Sequence, residues 1–234
     1  MSIYSVMLGS SLFIGAAFIY FNLVRNGIPK EMVFYQLLMS LLCITTFSKI
    51  VTIVSSIDTK VNIFNAGFSS LGGAFGALVS AVIFTNIYRG NKKLIYETFA
   101  LSLPLMYGIA KIGCHFAGCC YGIPYDGIFS TSSVFCSEVT RLFPVQLAET
   151  VAFLLIFIIS ILMYYKKINI NYLSFEMMIC ALAKFMLDYL RYSNLGNIIT
   201  FNQVICILFF IVGVVILIKD IHKKWGRKNV SIKM

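Results

Sequence analysis

Seven long apolar runs, separated by short polar connectors, constrain this chain more than any other feature. The runs cover residues 3–24, 32–57, 67–88, 94–116, 144–165, 170–192 and 201–221. Each is close to the roughly 20 residues that a helix needs to cross a bilayer. Apolar residues form 59% of the 234 residues and charged residues only 12%, which excludes an ordinary soluble domain. The sequence predicts one all-α integral membrane domain over residues 1–234, with seven transmembrane helices.

The basic residues are distributed unevenly among the connectors. If the carboxyl terminus is cytoplasmic, the outer connectors hold only Lys60 and Arg141, and the inner ones hold Arg25, Lys30, Arg89, Lys92, Lys93, Lys166, Lys167, Lys219, Lys223, Lys224, Arg227, Lys228 and Lys233. Because cytoplasmic loops collect Lys and Arg, the pattern predicts a cytoplasmic carboxyl terminus and, with seven spans, an amino terminus outside. The net charge of +10 therefore indicates a membrane protein, and we expect no nucleic-acid partner.

The stretch 111–122, Lys-Ile-Gly-Cys-His-Phe-Ala-Gly-Cys-Cys-Tyr-Gly, closes the fourth run and opens the longest polar loop. It brings together Lys111, His115 and three of the seven cysteines, Cys114, Cys119 and Cys120. Glycines at positions such as Gly122 allow backbone and ligand to approach closely. In the predicted topology the stretch faces outward, so we expect a site there.

Charged residues inside the predicted spans form a second group. Lys184, Asp188 and Arg191, at i, i+4 and i+7, share one face of the predicted sixth helix. A charge within a span costs at least ~2.5 kcal/mol, so it normally faces a cavity or a partner. In one interpretation Lys184 pairs with Asp188 and leaves Arg191 unpaired; in the other, Lys49 and Lys111 join Lys184 and Arg191 around an anionic headgroup, most simply a phosphodiester.

Gln146 and Glu149 form a third group, just after Pro144 at the start of the fifth run. At i and i+3 they point the same way. Glu149 either stabilises the amino terminus of its helix or belongs to the site. We expect it to lie close to Lys111 in a compact bundle.

These segments together resemble the prolipoprotein diacylglyceryl transferase family over nearly the whole chain. Residues 66–76 are similar to the family's Gly-Gly-Met-Ser-Phe-His-Gly-Gly segment, and 111–122 to its signature Arg-x-Gly-Asn-x-x-Asn-Gly-Glu-x-x-Gly. Residues 143–149 resemble His-Pro-Ser-Gln-Leu-Tyr-Glu, and 184–191 follow Arg-x-x-x-Glu-x-x-Arg. Gln203 and Gly213 fit the last span.

The resemblance implies a transferase of lipoprotein biosynthesis in the bacterial plasma membrane. Family members move the diacylglyceryl group of phosphatidylglycerol to the lipobox cysteine of a prolipoprotein. The implied partners are phosphatidylglycerol, or a related anionic phospholipid, and the prolipoprotein signal peptide, with no cofactor and no metal. The candidate catalytic residues are Lys111, His115, Cys119 and Cys120. His115, the only histidine within the predicted spans, would act as general base, and thiol or acyl chemistry would use Cys119 or Cys120. The implied substrate-binding residues are Lys184, Arg191, Asp188, Gln146, Glu149, Cys114 and Gly122.

The chain departs from the family pattern at positions that carry chemistry. Lys111 and Lys184 stand where the family has arginine, Cys114 where it has asparagine, and Cys119 where it has glutamate. Leu71 and Phe143 stand where the family has histidines. Three hypotheses follow. The first is retained glycerolipid transfer, the second is thiol, acyl or redox chemistry at Cys119 or Cys120, and the third is an inactive lipid-binding protein. A metal site at Cys114, His115 and Cys119 or Cys120 lacks the paired Cys-x-x-Cys spacing.

The other cysteines are predicted to have separate roles. Cys43, Cys180 and Cys206 lie in apolar runs and are expected to be inert small hydrophobic residues. Cys136 lies on the predicted outer side, where disulfides persist.

Overall fold

The computed structural model describes residues 3–55, 68–88, 90–135, 138–196 and 198–231. Within these residues it contains seven α-helices: α1 (Ile3–Arg25), α2 (Lys30–Ser55), α3 (Ser70–Ile87), α4 (Lys92–Phe116), α5 (Val145–Tyr165), α6 (Tyr172–Asp188) and α7 (Phe201–Ser231). Each helix coincides with one predicted apolar run, because uninterrupted apolar sequence of this length satisfies its backbone only as helix. The main difference is α7, which continues past residue 221.

Among the described residues, six helices (α1–α5 and α7) are long and apolar enough to cross a membrane. Large apolar side chains such as Phe13, Phe21 and Leu42 point away from the bundle and are strongly exposed, as expected for a lipid-facing surface. The chain is therefore a helical integral membrane protein.

Helix α6 differs from the predicted run 170–192. It has 17 residues and ends at Asp188, so Arg191 lies beyond it. The prediction that Lys184, Asp188 and Arg191 share one helical face is therefore wrong for Arg191. Glu176, Lys184 and Asp188 are all buried, so the charges of α6 face other protein elements.

Close helix packing depends on small residues. A Cβ atom on Gly72 or Gly76 of α3 would collide with backbone carbonyls of α2, at Phe47 and Cys43 respectively. These glycines let α2 and α3 approach at the distance of backbone contact. Leu23 of α1 lies fully buried in a core of apolar side chains.

The connection between α4 and α5 contains an antiparallel hairpin that the sequence analysis did not predict. Strands β1 (Thr131–Phe135) and β2 (Glu138–Leu142) pair from Thr131 with Leu142 to Phe135 with Glu138. The fold is therefore helical with a small β-hairpin, which amends the all-α prediction. Cys136 lies outside the described residues.

Candidate functional site

Glu149 is the centre of a buried ion-pair network. This α5 residue has no exposed surface. Its Oε2 lies 2.8 Å from Lys111 Nζ on α4, and its Oε1 lies 2.6 Å from Lys184 Nζ on α6. Arg191 Nη2 is 2.8 Å from the same Oε1. The predicted proximity of Glu149 to Lys111 is confirmed.

Tyr107 completes this network and was missed by the sequence analysis. Its hydroxyl donates a hydrogen bond of 2.9 Å to Glu149 Oε1. Its ring lies beneath both lysines, 5.2 Å from Lys111 Nζ and 5.7 Å from Lys184 Nζ. The signal was available, since Tyr107 precedes Lys111 by one helical turn and shares its face.

Asp188 connects the network to α7. Its Oδ1 lies 3.4 Å from Lys184 Nζ and from Arg191 Nε. Its Oδ2 accepts hydrogen bonds of 2.9 Å from Asn194 Nδ2 and from Thr200 Oγ1. Asn194 and Thr200, polar residues of the connection between α6 and α7, were also missed by the sequence analysis.

Thr200 and Gln203 form a reciprocal cap at the start of α7. The Thr200 backbone N–H donates to Gln203 Oε1 at 2.9 Å, and the Gln203 N–H donates to Thr200 Oγ1 at 3.3 Å. This is a capping box, which satisfies backbone donors at a helix amino terminus. The hydroxyl that binds Asp188 is thus held by the helix cap.

We call Tyr107, Lys111, Glu149, Lys184, Asp188 and Arg191 the charged cluster. The interpretation that Arg191 is unpaired is wrong, because it contacts both carboxylates. Three cations face two carboxylates, so the cluster carries one excess positive formal charge. Lys49 is not a member: its Nζ lies 4.6 Å from the ring centre of Phe68.

Backbone pairing brings Arg191 into the cluster although it lies outside α6. Gly122 and Arg191 form an antiparallel bridge. The bridge is flanked by hydrogen bonds from Ile123 N to Leu190 O, 3.0 Å, and from Tyr192 N to Tyr121 O, 2.9 Å. A Cβ atom on Gly122 would collide with the carbonyl of Phe143. Gly122 therefore acts through its lack of a side chain, which lets three chain segments meet.

A Schellman motif ends α4 and brings two cysteines together. Gly118 has φ +61°, the left-handed conformation that glycine adopts readily. The Gly118 N–H donates to the His115 carbonyl and the Cys119 N–H donates to the Cys114 carbonyl, both at 3.2 Å. These are the two hydrogen bonds of the motif, which normally places its first and last side chains in contact. Here both of those residues are cysteine.

Cys120 adds a third sulfur to this turn. Its φ is +59°, an uncommon conformation for a residue with a side chain. The sulfur atoms of Cys114, Cys119 and Cys120 all lie within 4.8 Å of one another; we call them the three-thiol cluster. Gln146 Nε2 donates a 2.6 Å hydrogen bond to the Cys119 carbonyl, so this predicted site residue holds the turn against α5.

The surroundings of the three-thiol cluster shift the pKa values of the Cys119 and Cys120 thiols in opposite directions. Hydrogen bonds from the thiols of Cys114 and Cys119 lower the pKa of the Cys120 thiol. The charges of Lys111 and Arg191 lower it further, although burial opposes them. Hydrogen bonding to Cys114 and Cys120 raises the pKa of the Cys119 thiol.

His115 joins neither cluster by contact. It is half-buried in the last turn of α4, and its ring centre lies 5.7 Å from that of Phe116. Its side chain makes no hydrogen bond or ion pair with another residue in the part of the chain that the structure describes. Its role as general base stays a prediction.

Comparison with known proteins agrees with this geometry. The family model described as prolipoprotein diacylglyceryl transferase matches residues 1–219. The chain belongs to that family. The resemblance predicted from the sequence is thereby confirmed, and membership identifies a transferase-family protein of the bacterial membrane.

Two curated relatives are similar over most of this chain. The phosphatidylglycerol–prolipoprotein diacylglyceryl transferase of Clostridium tetani is 26% identical over 166 residues, 68% of this chain and 66% of the relative. The protein named phosphatidylglycerol–prolipoprotein diacylglyceryl transferase 2 of Clostridium perfringens is 28% identical over 178 residues, 73% of this chain and 68% of the relative. The similarity thus spans about two thirds of each relative's length.

Proposed function

We propose that this chain transfers the diacylglyceryl group of phosphatidylglycerol to the lipobox cysteine thiol of a prolipoprotein signal peptide. The observation that carries the proposal is the charged cluster, built from the family's sequence segments and carrying one excess positive charge. A phosphodiester has one negative charge and would neutralise it. A buried excess charge is unfavourable without such a partner.

Arg191 is the residue best placed to bind the phosphate. Its side chain is 12% exposed, against 6% for Lys111 and 5% for Lys184. Its Nε and Nη2 atoms face the carboxylates. Its Nη1 group makes no hydrogen bond to another residue within the described ranges, so it can donate to a phosphate oxygen. Lys111 and Lys184 hold Glu149, which in turn orients the guanidinium.

The transfer itself requires few steps. The acceptor sulfur forms a bond to the glycerol carbon while the bond between that carbon and the phosphate oxygen breaks. Glycerol phosphate leaves with the electron pair of the broken bond. The thiol proton needs an acceptor, and we propose His115, since an imidazole is the side chain that most often acts as a general base.

We also propose that α6 is the seventh span, with the amino terminus outside and both clusters at the outer side. The burial of its charges at Glu176, Lys184 and Asp188 supports a helix shielded from lipid. A membrane-impermeant maleimide added to intact cells should label Cys119 or Cys120 after treatment with a reductant and a chelator, and a cysteine added after Met234 should be protected. Labelling of that terminal cysteine from outside would overturn the orientation.

The decisive assay measures glycerol phosphate release from phosphatidylglycerol in the presence of a lipobox peptide. Arg191→Gln should lower the rate by roughly 10²–10³-fold, the usual effect of losing one donor to a developing oxyanion. Arg141→Gln, an exposed basic residue of β2, is the matched control and should not change the rate. His115→Ala should lower it by about 10²–10⁴-fold.

No release by the wild-type chain with any cysteine-containing acceptor would contradict the proposal. Lipid that copurifies without turnover would then favour the inactive lipid-binding hypothesis. The three-thiol cluster is the observation that favours the second candidate, acyl or redox chemistry at cysteine. That candidate requires a covalent adduct or a disulfide at Cys119 or Cys120 that forms and resolves during turnover. Retained transfer with His115 as base leaves both thiols without such a modification, which peptide mass spectrometry of the working protein would show.

A further inference from the structure

Diacylglyceryl transfer by a general base requires no enzyme thiol, so it leaves the three-thiol cluster without a role. A covalent role in that transfer is chemically unsuitable, because a diacylglyceryl group on an enzyme cysteine would be a thioether, and a thioether sulfur is a poor leaving group. Three sulfurs held by one helix terminus match a different chemistry. Thiolates are the preferred ligands of thiophilic ions such as zinc.

We propose that Cys114, Cys119 and Cys120 form a zinc site with three protein ligands and an open fourth position. This inference rests on the proposed function only for the occupant of the fourth position, which we assign to the acceptor thiol. Catalytic zinc sites keep three protein ligands and one exchangeable position. No fourth Cys, His, Asp or Glu of the described chain lies within reach of the group of three sulfurs.

The geometry of the cluster fits such a site. Zinc–sulfur bonds are about 2.3 Å, so tetrahedral ligand sulfurs lie about 3.8 Å apart. The three sulfurs lie within 4.8 Å of one another, and small side-chain rotations close the remaining gap. Ligands from a single turn need a rigid backbone, and the Schellman hydrogen bonds supply it.

Two further observations indicate that neighbouring residues fix the conformation of this turn. Cys120 occupies the left-handed region at φ +59°, and such strain persists only where the surroundings impose it. Gln146, itself buried, holds the Cys119 carbonyl at 2.6 Å. This bond fixes the turn from α5 without using any sulfur, and the hydrogen bond that the Cys119 thiol donates to the Cys114 carbonyl is long, at 3.6 Å.

Charge also favours the site. Zinc with three thiolates carries a net charge of −1, and the neighbouring charged cluster has one excess positive charge. Lys111 lies one helical turn before Cys114 on the same face of α4. The positively charged neighbour therefore favours an anionic metal site beside it.

The fourth position gives the ion a role in the reaction. An acceptor thiol that binds zinc loses its proton, because a coordinating thiol is deprotonated. The proton goes to the general base of the proposed transfer, so the metal site itself needs no further proton acceptor. The bound sulfur then forms its bond to the glycerol carbon as the carbon–oxygen bond breaks, and glycerol phosphate leaves with the electron pair. No oxidant or reductant is needed.

The test begins with metal content, measured on detergent-purified full-length chain without a polyhistidine tag. Elemental analysis should find about one zinc per wild-type chain. Cys114→Ala, Cys119→Ala and Cys120→Ala should each lose most of it, and Cys43→Ala on α2, the matched control, should keep it. Zinc retained by the triple alanine variant would show an adventitious ion only and overturn the site.

A second measurement on the wild-type chain keeps the test valid if the variants fail to fold. Zinc should protect the three thiols from maleimide, located by peptide mass spectrometry, and a chelator should expose them. A disulfide among the three in protein purified without reductant would overturn the proposal. The same result follows if copper is bound and zinc is not.

Cobalt substitution tests the fourth position. Co²⁺ in the site should show sulfur-to-cobalt charge-transfer absorption, and a lipobox peptide should change that spectrum while its Cys→Ser version should not. A spectrum that ignores the peptide would overturn the role of the fourth position. Metal binding is measured without turnover, so a chain that binds zinc and transfers nothing contradicts the proposed function and not the metal site.

Discussion

The charged cluster and the three-thiol cluster adjoin each other but are built in different ways. The charged cluster joins residues 35 to 42 positions apart, such as Glu149 with Lys184 and Tyr107, and is almost wholly buried. The three-thiol cluster comes from seven consecutive residues at the end of α4 and is only half-buried. The first stabilises the packing of three helices, and the second can change its chemistry without altering that packing. This difference explains how this chain can keep the helix packing around Glu149 with cysteines in the turn that ends α4.

Glu149→Gln should produce the largest effect, because it removes the acceptor shared by Lys111, Lys184 and Arg191. Leaving buried charge uncompensated costs about 3–5 kcal/mol. We expect a large fall in the thermal stability of the detergent-solubilised protein, measured by loss of the monodisperse peak in size-exclusion chromatography after heating. Glu31→Gln, on the exposed first turn of α2, should melt like wild type. Equal melting of Glu149→Gln and wild type would mean that the charged cluster does not hold the bundle.

Lys184→Gln should have the next largest effect. Glu149 keeps Lys111 and Arg191 as partners, so we expect a loss of about 1.5–3 kcal/mol, the usual range for a hydrogen bond to a charged group. The exposed Lys92→Gln provides the matched comparison. A Lys184→Gln protein as stable as the Lys92→Gln protein would show that Lys184 serves substrate binding alone.

Gln146→Leu tests the link between the two clusters. The Cys119 carbonyl would lose its donor, at a cost of roughly 1 kcal/mol, and the turn would loosen. In chelator-treated protein, maleimide should then modify Cys119 and Cys120 faster, while Cys43 keeps its rate. Unchanged labelling of Cys119 and Cys120 would show that the Schellman motif holds the turn without help from α5.

Cys120→Gly should give the smallest change when the variant and the wild type are compared after removal of metal by a chelator. A residue with a side chain loses roughly 1–2 kcal/mol in the left-handed region, and glycine would recover this while losing the thiol's contacts. We expect a net change below about 1 kcal/mol, whereas Cys120→Val should be clearly destabilising, since a branched side chain tolerates positive φ least. The two melting temperatures, compared directly, check this; a more stable Val variant would contradict the backbone argument.

Hydropathy predicted the helices well because a long apolar run has few alternatives to a membrane helix. It also predicted that Glu149 meets Lys111, since both lie at one end of adjacent spans. It failed at Arg191, whose partners depend on a backbone bridge to Gly122 that no periodicity encodes. The hairpin was missed for a similar reason: its pairing depends on how α4 and α5 place the two ends of their connection. The three-thiol cluster had a readable signal, because Gly118 between cysteines predicts a left-handed helix terminus.

The double pairing of Lys184, 3.4 Å from Asp188 on its own helix and 2.6 Å from Glu149 on α5, has a consequence for biosynthesis. When α6 leaves the ribosome, α4 and α5 have already been synthesised; as the proposed seventh span, α6 must enter the bilayer before it packs against them. During that passage Asp188 is the carboxylate within reach of Lys184, so the helix inserts with its lysine neutralised internally. Glu149 then takes the lysine as the helices assemble. We therefore expect α6 to enter the membrane less efficiently when Asp188 is replaced by Asn, even where Glu149 is intact.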